Sequence, residues 1–370
     1  MPKTLFLLFA LGAAVSPPVG RSTPPPIPAA IDAVDGPQLY QRFCGMCHGP
    51  LGKGYGADNA PSLVSATFLA TASDDFLRAG IGRGRPGTAM AGYARNVGGP
   101  LTPPQIDAII AHLRKAKPAP HPLPSKPIAG DVGRGKTLYT AQCAKCHGTP
   151  TQRVNAIHLA NPILLATASD AFLRHAVEHG RPETPMIAFR GKLDPRQIDD
   201  VVAYVRSMAV TPAEPAVPPA LAAADAGAPR PPRSGPVVLN PKGKQASFEL
   251  KEGRLVSLDA VKAALDQKRR IIIVDARAPS DWLNLRIVGA ISTPYYDPGS
   301  LDDIPNDGTW VIAYCACPHH ASGAVVDELR KRGYPHTAVL DEGIFAWQQK
   351  GYPVVAAPGM LPPPAPPLPH

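Results

Sequence analysis

Apolar and polar positions follow two periods along this chain. Within residues 36–114 and again within 135–206, apolar residues recur about every 3.6 positions, the spacing that turns one stripe of a helix toward a core. GPQLYQRF (36–43) and GKTLYTAQ (135–142) predict the leading helix of each region. ATASDDFLRAGIGRGRPGTAM at 70–90 returns as ATASDAFLRHAVEHGRPETPM at 166–186, and LTPPQIDAIIAHLR at 101–114 returns as LDPRQIDDVVAYVR at 193–206. Ser73 and Ser169 stand where they can cap the middle helix, and Thr102 and Asp194 where they can cap the last one. A proline then sits just inside that last helix, where its missing N–H is not needed. These regions read as two copies of one small all-α unit, and what both copies keep marks what the unit needs.

Beyond residue 245 the period changes. RRIIIVDA (269–276) and GTWVIAYCA (308–316) are short, nearly continuous apolar runs rich in β-branched residues, as expected of strands buried on both faces. SLDAVKAALDQK, GAVVDELRKRG and IFAWQQKG read as helices between and after them, and this alternation predicts an α/β domain with a parallel sheet. Trp347 is spaced from Ile344 as a core aromatic.

Stretches rich in proline separate these regions at 117–127 and 211–236 and close the chain with LPPPAPPLPH. They lack the periodicity to bury a face and read as semi-rigid spacers and a tail. Lys3 followed by LFLLFALGAAV and then small residues and prolines resembles a secretory leader, which predicts export to the periplasm. The apolar run is shorter than the roughly 20 residues that span a bilayer, so the expectation is no transmembrane domain, with an uncleaved N-terminal anchor as the alternative. The expected organisation is a leader at 1–22, helical units at 31–117 and 130–209, a linker at 210–245, an α/β domain at 246–357 and a tail at 358–370. Such a linker is long enough for the last domain to move as a separate bead.

Composition narrows the function classes. Of 370 residues, 44% are hydrophobic and 18% charged, which permits several small cores, and many of the 47 prolines fall in the spacers and tail. The formal charge of +9 is scattered without a Lys/Arg block, which argues against nucleic acid and for an acidic redox protein or an anionic substrate.

Candidate chemistry begins with CGMCH at 44–48 and CAKCH at 143–147. Two cysteines three positions apart at a helix end lie on one face, close enough to add to the two vinyl groups of a haem, and the next histidine falls beneath the iron. A structural disulfide, a zinc half-site and a thioredoxin-like dithiol are the competing readings, although neither copy holds a further cysteine. On these motifs the two regions resemble class I cytochrome c domains. The resemblance implies two covalently bound haem c groups, one on Cys44 and Cys47 with His48 proximal, the other on Cys143 and Cys146 with His147 proximal. It places Met90 and Met186, in RPGTAM and RPETPM, as the opposite axial ligands, with His112, His158, His175 and His179 as rivals. A thioether opposite imidazole favours ferrous iron and closes the sixth position, the setting of an electron carrier. An open position would permit haem-based catalysis.

IIIVDARAPSDW, GAISTP, WVIAYCACPHHASGAVVDELRKRGY and VLDEGIFAWQQKGYPV, in that order, resemble the rhodanese superfamily. The resemblance makes Cys315 the candidate persulfide nucleophile, in a loop whose backbone N–H groups can stabilise an anion. The loop offers His319 and His320 but no Arg, which departs from many relatives and puts thiosulfate specificity in doubt. Cys317 is an additional thiol: a second sulfur carrier or resolving thiol, a metal ligand, or a packing residue. Asp275 and Arg277 are expected to support the loop structurally. The integrated expectation is an exported dihaem electron carrier whose rhodanese-like module handles a small sulfur compound at Cys315, as a sulfurtransferase or sulfur-compound oxidoreductase. The alternative is an electron shuttle whose module only binds a partner or senses thiol oxidation.

Overall fold

A computed structural model describes residues 34–57, 59–116, 121, 123–124, 126–209, 236–316, 319–358 and 361–366. The expected leader, most of the linker and Cys317 lie outside the described residues.

Both duplicated regions are helical, and their elements match. The first unit is built on Gly36–Phe43, Asp74–Arg83 and Pro103–Arg114, and the second on Val132–Gln142, Asp170–His179 and Pro195–Ser207. Ser73 and Ser169 accept from the backbone N–H three residues on, and Thr102 and Asp194 form reciprocal capping boxes with Gln105 and Gln197. First and last helices cross closely because a glycine stands at each crossing. A Cβ at Gly36 would lie 2.2 Å from Ala108 O, and one at Gly135 1.9 Å from Asp200 O. Arg114 and Arg206 tie the last helix to the same carbonyls in each copy, Leu69 and Ala72 in the first, Leu165 and Ala168 in the second. The two units pack on one another through Phe76 and Phe172, whose ring centroids are 4.8 Å apart, and through hydrogen bonds from Thr67 to Gly180 O (2.9 Å) and Asn161 to Pro86 O (2.9 Å).

The last domain has a five-stranded parallel sheet in the order β1-β6-β5-β2-β4, from Leu255–Val256, Thr337–Leu340, Val311–Tyr314, Ile272–Asp275 and Ile291–Ser292. Ile272 and Val274 point into one buried cluster and Ile271 and Ile273 into the other, which is why the run is apolar without alternation. Helices Leu258–Asp266, Pro279–Asn284, His320–Lys331 and Gly343–Gln349 pack around it. A small antiparallel pair, β3 (Arg286–Ile287) with β7 (Val354–Val355), lies beside it. Trp347 is fully buried.

Three expectations change. Part of the segment that composition assigned to the linker belongs to the domain edge: Leu239 N donates to Ile271 O at 2.8 Å, and Arg270 N donates to Lys244 O at 2.9 Å. Nor is the domain a separate bead. Arg42 donates to Tyr296 O (2.9 Å), Tyr295 Oη to Phe43 O (3.0 Å) and Ser280 Oγ to Gly92 O (2.6 Å), while Tyr296 meets the Phe43 ring edge-on at 4.8 Å. Buried aromatic surface, with the Tyr295 hydroxyl donating to a backbone carbonyl, is the physical reason the domain docks on the first unit. Part of the expected tail packs back too, since Gln348 and Gln349 donate to Pro363 O and Pro366 O at 2.6 Å.

Candidate functional site

In each helical unit the leading helix runs straight into the cysteine motif. Cys44 opens the single turn Gly45–His48, and Cys143 opens Ala144–His147. His48 N donates to Cys44 O at 2.9 Å and His147 N to Cys143 O at 3.0 Å, so two thiols and one imidazole leave from one helical turn. Tyr40 and Tyr139 brace that turn by donating to Gly49 O (2.8 Å) and Gly148 O (2.9 Å).

The imidazoles are set for ligation. His48 Nδ1 lies 2.8 Å from Pro61 O and His147 Nδ1 2.8 Å from Ile157 O. A carbonyl can only accept, so the ring proton is on Nδ1 and Nε2 keeps its lone pair. Burial holds both imidazoles below their ordinary range, which keeps them neutral. Cys44, Cys47, Cys143 and Cys146 are not in disulfides. Burial, with the neighbouring thiol adding to it, pushes Cys44 up to about 12 and Cys143 up to about 11. A redox dithiol needs the opposite shift.

Met90 and Met186 end matching loops. Gly84 (φ +68°) and Gly180 (φ +63°) terminate the middle helices, and a Cβ on either would come within 2.5 Å of the methionine carbonyl. Arg85 N donates to Met90 O and Arg181 N to Met186 O, both at 2.8 Å, while Thr88 and Thr184 accept from the methionine N–H groups. Of the rival histidines, His158 Nε2 lies 2.8 Å from Thr149 O, His175 and His179 have ring centroids 4.3 Å apart, and His112 packs on Tyr40.

Sequence reasoning passed over Arg85 and Arg181. Arg85 donates to Gly84 O and lies over the Phe76 ring; Arg181 reaches Thr67 Oγ1 and lies over Phe172. No carboxylate among the described residues pairs with either, and burial lowers both to about 10. Two half-buried cations at matched positions, each five residues before a candidate axial methionine, fit a porphyrin that brings its own carboxylates. Retention of GRP in both copies was the available signal. With the imidazole tautomer and the thiol environment, this makes the residues present a fit for covalent haem.

In the α/β domain, β5 delivers Cys315 to the carboxyl end of the sheet, where loops of parallel folds carry chemistry. Cys315 is 1% exposed, with Sγ 3.2 Å from Ser322 Oγ, and its carbonyl accepts from Ile344 N at 3.0 Å. His319, in the left-handed region at φ +64°, precedes the helix His320–Lys331, and its Nε2 lies 2.7 Å from Asp341 Oδ1. His320 is exposed at the first position of that helix. Asp341, in VLDEG, was not anticipated as a partner of the loop. Arg277 and Asp275 form a buried two-pronged ion pair (2.9 and 2.6 Å).

The cluster around Cys315 also takes in Tyr295 and two residues of the first helical unit, Met46 from between Cys44 and Cys47, and Ala89 from beside Met90. Packing thus joins the core cluster that holds Cys315 to one of the two duplicated units.

Comparisons with known proteins follow these boundaries. Residues 33–117 match the cytochrome c family, 130–205 match cytochrome c oxidase, cbb3-type, subunit III, and 257–350 match the rhodanese-like domain. The cbb3-type cytochrome c oxidase subunit CcoP of Azospirillum sp. is 30% identical over 192 residues, covering 47% of this chain and 61% of that protein. The chain therefore spans less than two thirds of that relative's length. Cytochrome c6 of Thermosynechococcus vestitus is 32% identical over 89 residues, covering 22% of this chain and 74% of the relative. Among solved structures, the rhodanese-like domain of an Anabaena sp. protein is 25% identical with a TM-score of 0.26, covering 28% of this chain and 78% of that one.

Proposed function

Two cytochrome c domains followed by a rhodanese-like domain make up this chain, and on that premise we propose that it is a periplasmic dihaem electron carrier coupled to sulfur chemistry at Cys315. The observation that carries this reading is the packing of Met46 and Ala89, beside the first attachment motif and Met90, against the apolar cluster that holds Cys315. Cys44, Cys47 and His48 would hold one haem c and Cys143, Cys146 and His147 the other, with Met90 and Met186 opposite and Arg85 and Arg181 toward the propionates. When bound, these groups supply two one-electron centres. Forming one S–S bond between the Cys315 thiol and hydrogen sulfide breaks two S–H bonds and releases two protons and two electrons, a count that a pair of one-electron centres matches. His319, oriented by Asp341, is the nearby group able to take a proton. The leader-like N-terminus supports export, and no helix of the described residues is long and apolar enough to cross a membrane.

Anaerobic mixing of oxidised holoprotein with sodium sulfide, followed at the haem absorption bands, tests the coupling. Wild type should be reduced at least about tenfold faster than Cys315→Ser, a difference in barrier of about 1.4 kcal/mol. Equal rates would leave the second reading, an electron shuttle with a non-catalytic module. The burial of Cys315 and the absence of arginine from its loop favour that reading. Cyanide-dependent thiocyanate formation separately reports whether the module transfers sulfur.

A further inference from the structure

Duplication supplies an internal control, because two copies of one backbone carry different surfaces around their attachment motifs. On the first unit that surface is covered: Phe43, Met46, Ala89 and Tyr93 lie against the rhodanese-like domain. On the second unit, the position of Met46 is Lys145, that of Phe43 is Gln142, and that of Ala91 is Ile187. Gln142 and Lys145 are exposed, and Ile187, next to Met186, is 53% exposed where Ala91 is 4%. Ile157, whose carbonyl holds the His147 ring, is 41% exposed. Lys192 stands 6.0 Å over the ring of Phe189, the counterpart of Tyr93. Arg190 remains 70% exposed although it pairs with Glu178, and Glu183 is the exposed acid of the same loop.

We propose that this face of the second unit is the docking surface for an external acidic redox protein, and that the first unit is an internal relay between the rhodanese-like domain and the second. Electron transfer between proteins needs one haem edge to meet the partner. The matching edge of the first unit already holds a protein domain, which shows that this surface of the fold accepts one. The remaining edge has an apolar centre, Ile157 and Ile187, flanked by Lys145 and Lys192. An apolar patch with basic neighbours on a chain of formal charge +9 is complementary to an acidic partner. This proposal rests on the electron-transfer reading and is independent of sulfur chemistry at Cys315.

Stopped-flow oxidation of fully reduced holoprotein by plastocyanin, an acidic one-electron copper protein, tests it. Lys192→Glu, and the double variant with Lys145→Glu at matched haem content, should lower the bimolecular rate about tenfold at low ionic strength and converge on wild type at high salt. Lys53→Glu, an exposed charge change on the first unit, should leave the rate within about twofold. Carbodiimide cross-linking mapped by mass spectrometry should join plastocyanin carboxylates to Lys145 or Lys192. Unchanged rates in the Lys192 and Lys145 variants, an equal loss in Lys53→Glu, or cross-links concentrated on the first unit or the rhodanese-like domain would overturn the assignment. Wild type that cross-links at Lys145 or Lys192 but passes no electrons would overturn the electron-transfer reading and the proposed relay with it.

Discussion

A carbonyl oxygen 2.8 Å from Nδ1 decides which nitrogen of His48 and His147 can ligate, and nothing in the motif itself names that carbonyl. The same limit applies to Arg85 and Arg181, which look like ordinary surface arginines until the fold half-buries them with no carboxylate partner among the described residues. A cation near a redox centre favours the reduced form, so Arg85→Gln should lower the potential of the first haem, and Arg181→Gln that of the second, each on the order of tens of millivolts. Spectroelectrochemical titration reads both. His175 offers a test of pH dependence. Burial, with His179 and Arg181 nearby, lowers it to about 4. The unfolded chain, with an ordinary imidazole near 6.5, then binds the proton more readily than the fold. Stability from this group is therefore present above about pH 6.5 and lost as pH falls toward about 4. Thermal melts across that window should fall in wild type and flatten in His175→Gln.

At the scale of elements the sequence was most legible. Caps, the proline inside the last helix and the apolar period are all encoded within a few neighbouring residues, so local sequence alone places Ser73, Ser169, Thr102 and Asp194 at their helix starts. Thr102→Ala and Asp194→Ala should each cost about 1 kcal/mol of stability, read as a lower denaturation midpoint at unchanged slope. The helix crossings were less legible, because Gly36 and Gly135 sit in leading helices where a glycine has no local purpose. Their reason lies in the partner helix, whose backbone would lie within 2.2 Å of an added Cβ. Gly135→Ala should push the crossing apart and destabilise the second unit by about 1–3 kcal/mol, checked by denaturation of the holoprotein. The domain edge at Leu239 was missed for a related reason, since a few residues paired to Ile271 carry no periodic signal of their own.

For the whole molecule, docking of the rhodanese-like domain on the first cytochrome unit makes a prediction that a tethered bead would not. A protease site placed in the linker between residues 210 and 235 should be cut without separating the pieces on gel filtration. Tyr296→Ala, which removes the ring against Phe43 and Tyr93, should release the cut domain. By itself the sequence determined the two attachment motifs, the duplication, the candidate axial methionines, the helix caps and the parallel sheet. Each of these is written in short stretches or in the likeness of one copy to the other. Tertiary structure alone decided which of the two units the rhodanese-like domain packs on. That choice depends on Arg42, Phe43, Tyr93, Ser280, Tyr295 and Tyr296 meeting across some 200 residues of chain. In the sequence, side chains of this kind look the same whether they fill their own core or a neighbour's. Only the packed surfaces distinguish the two.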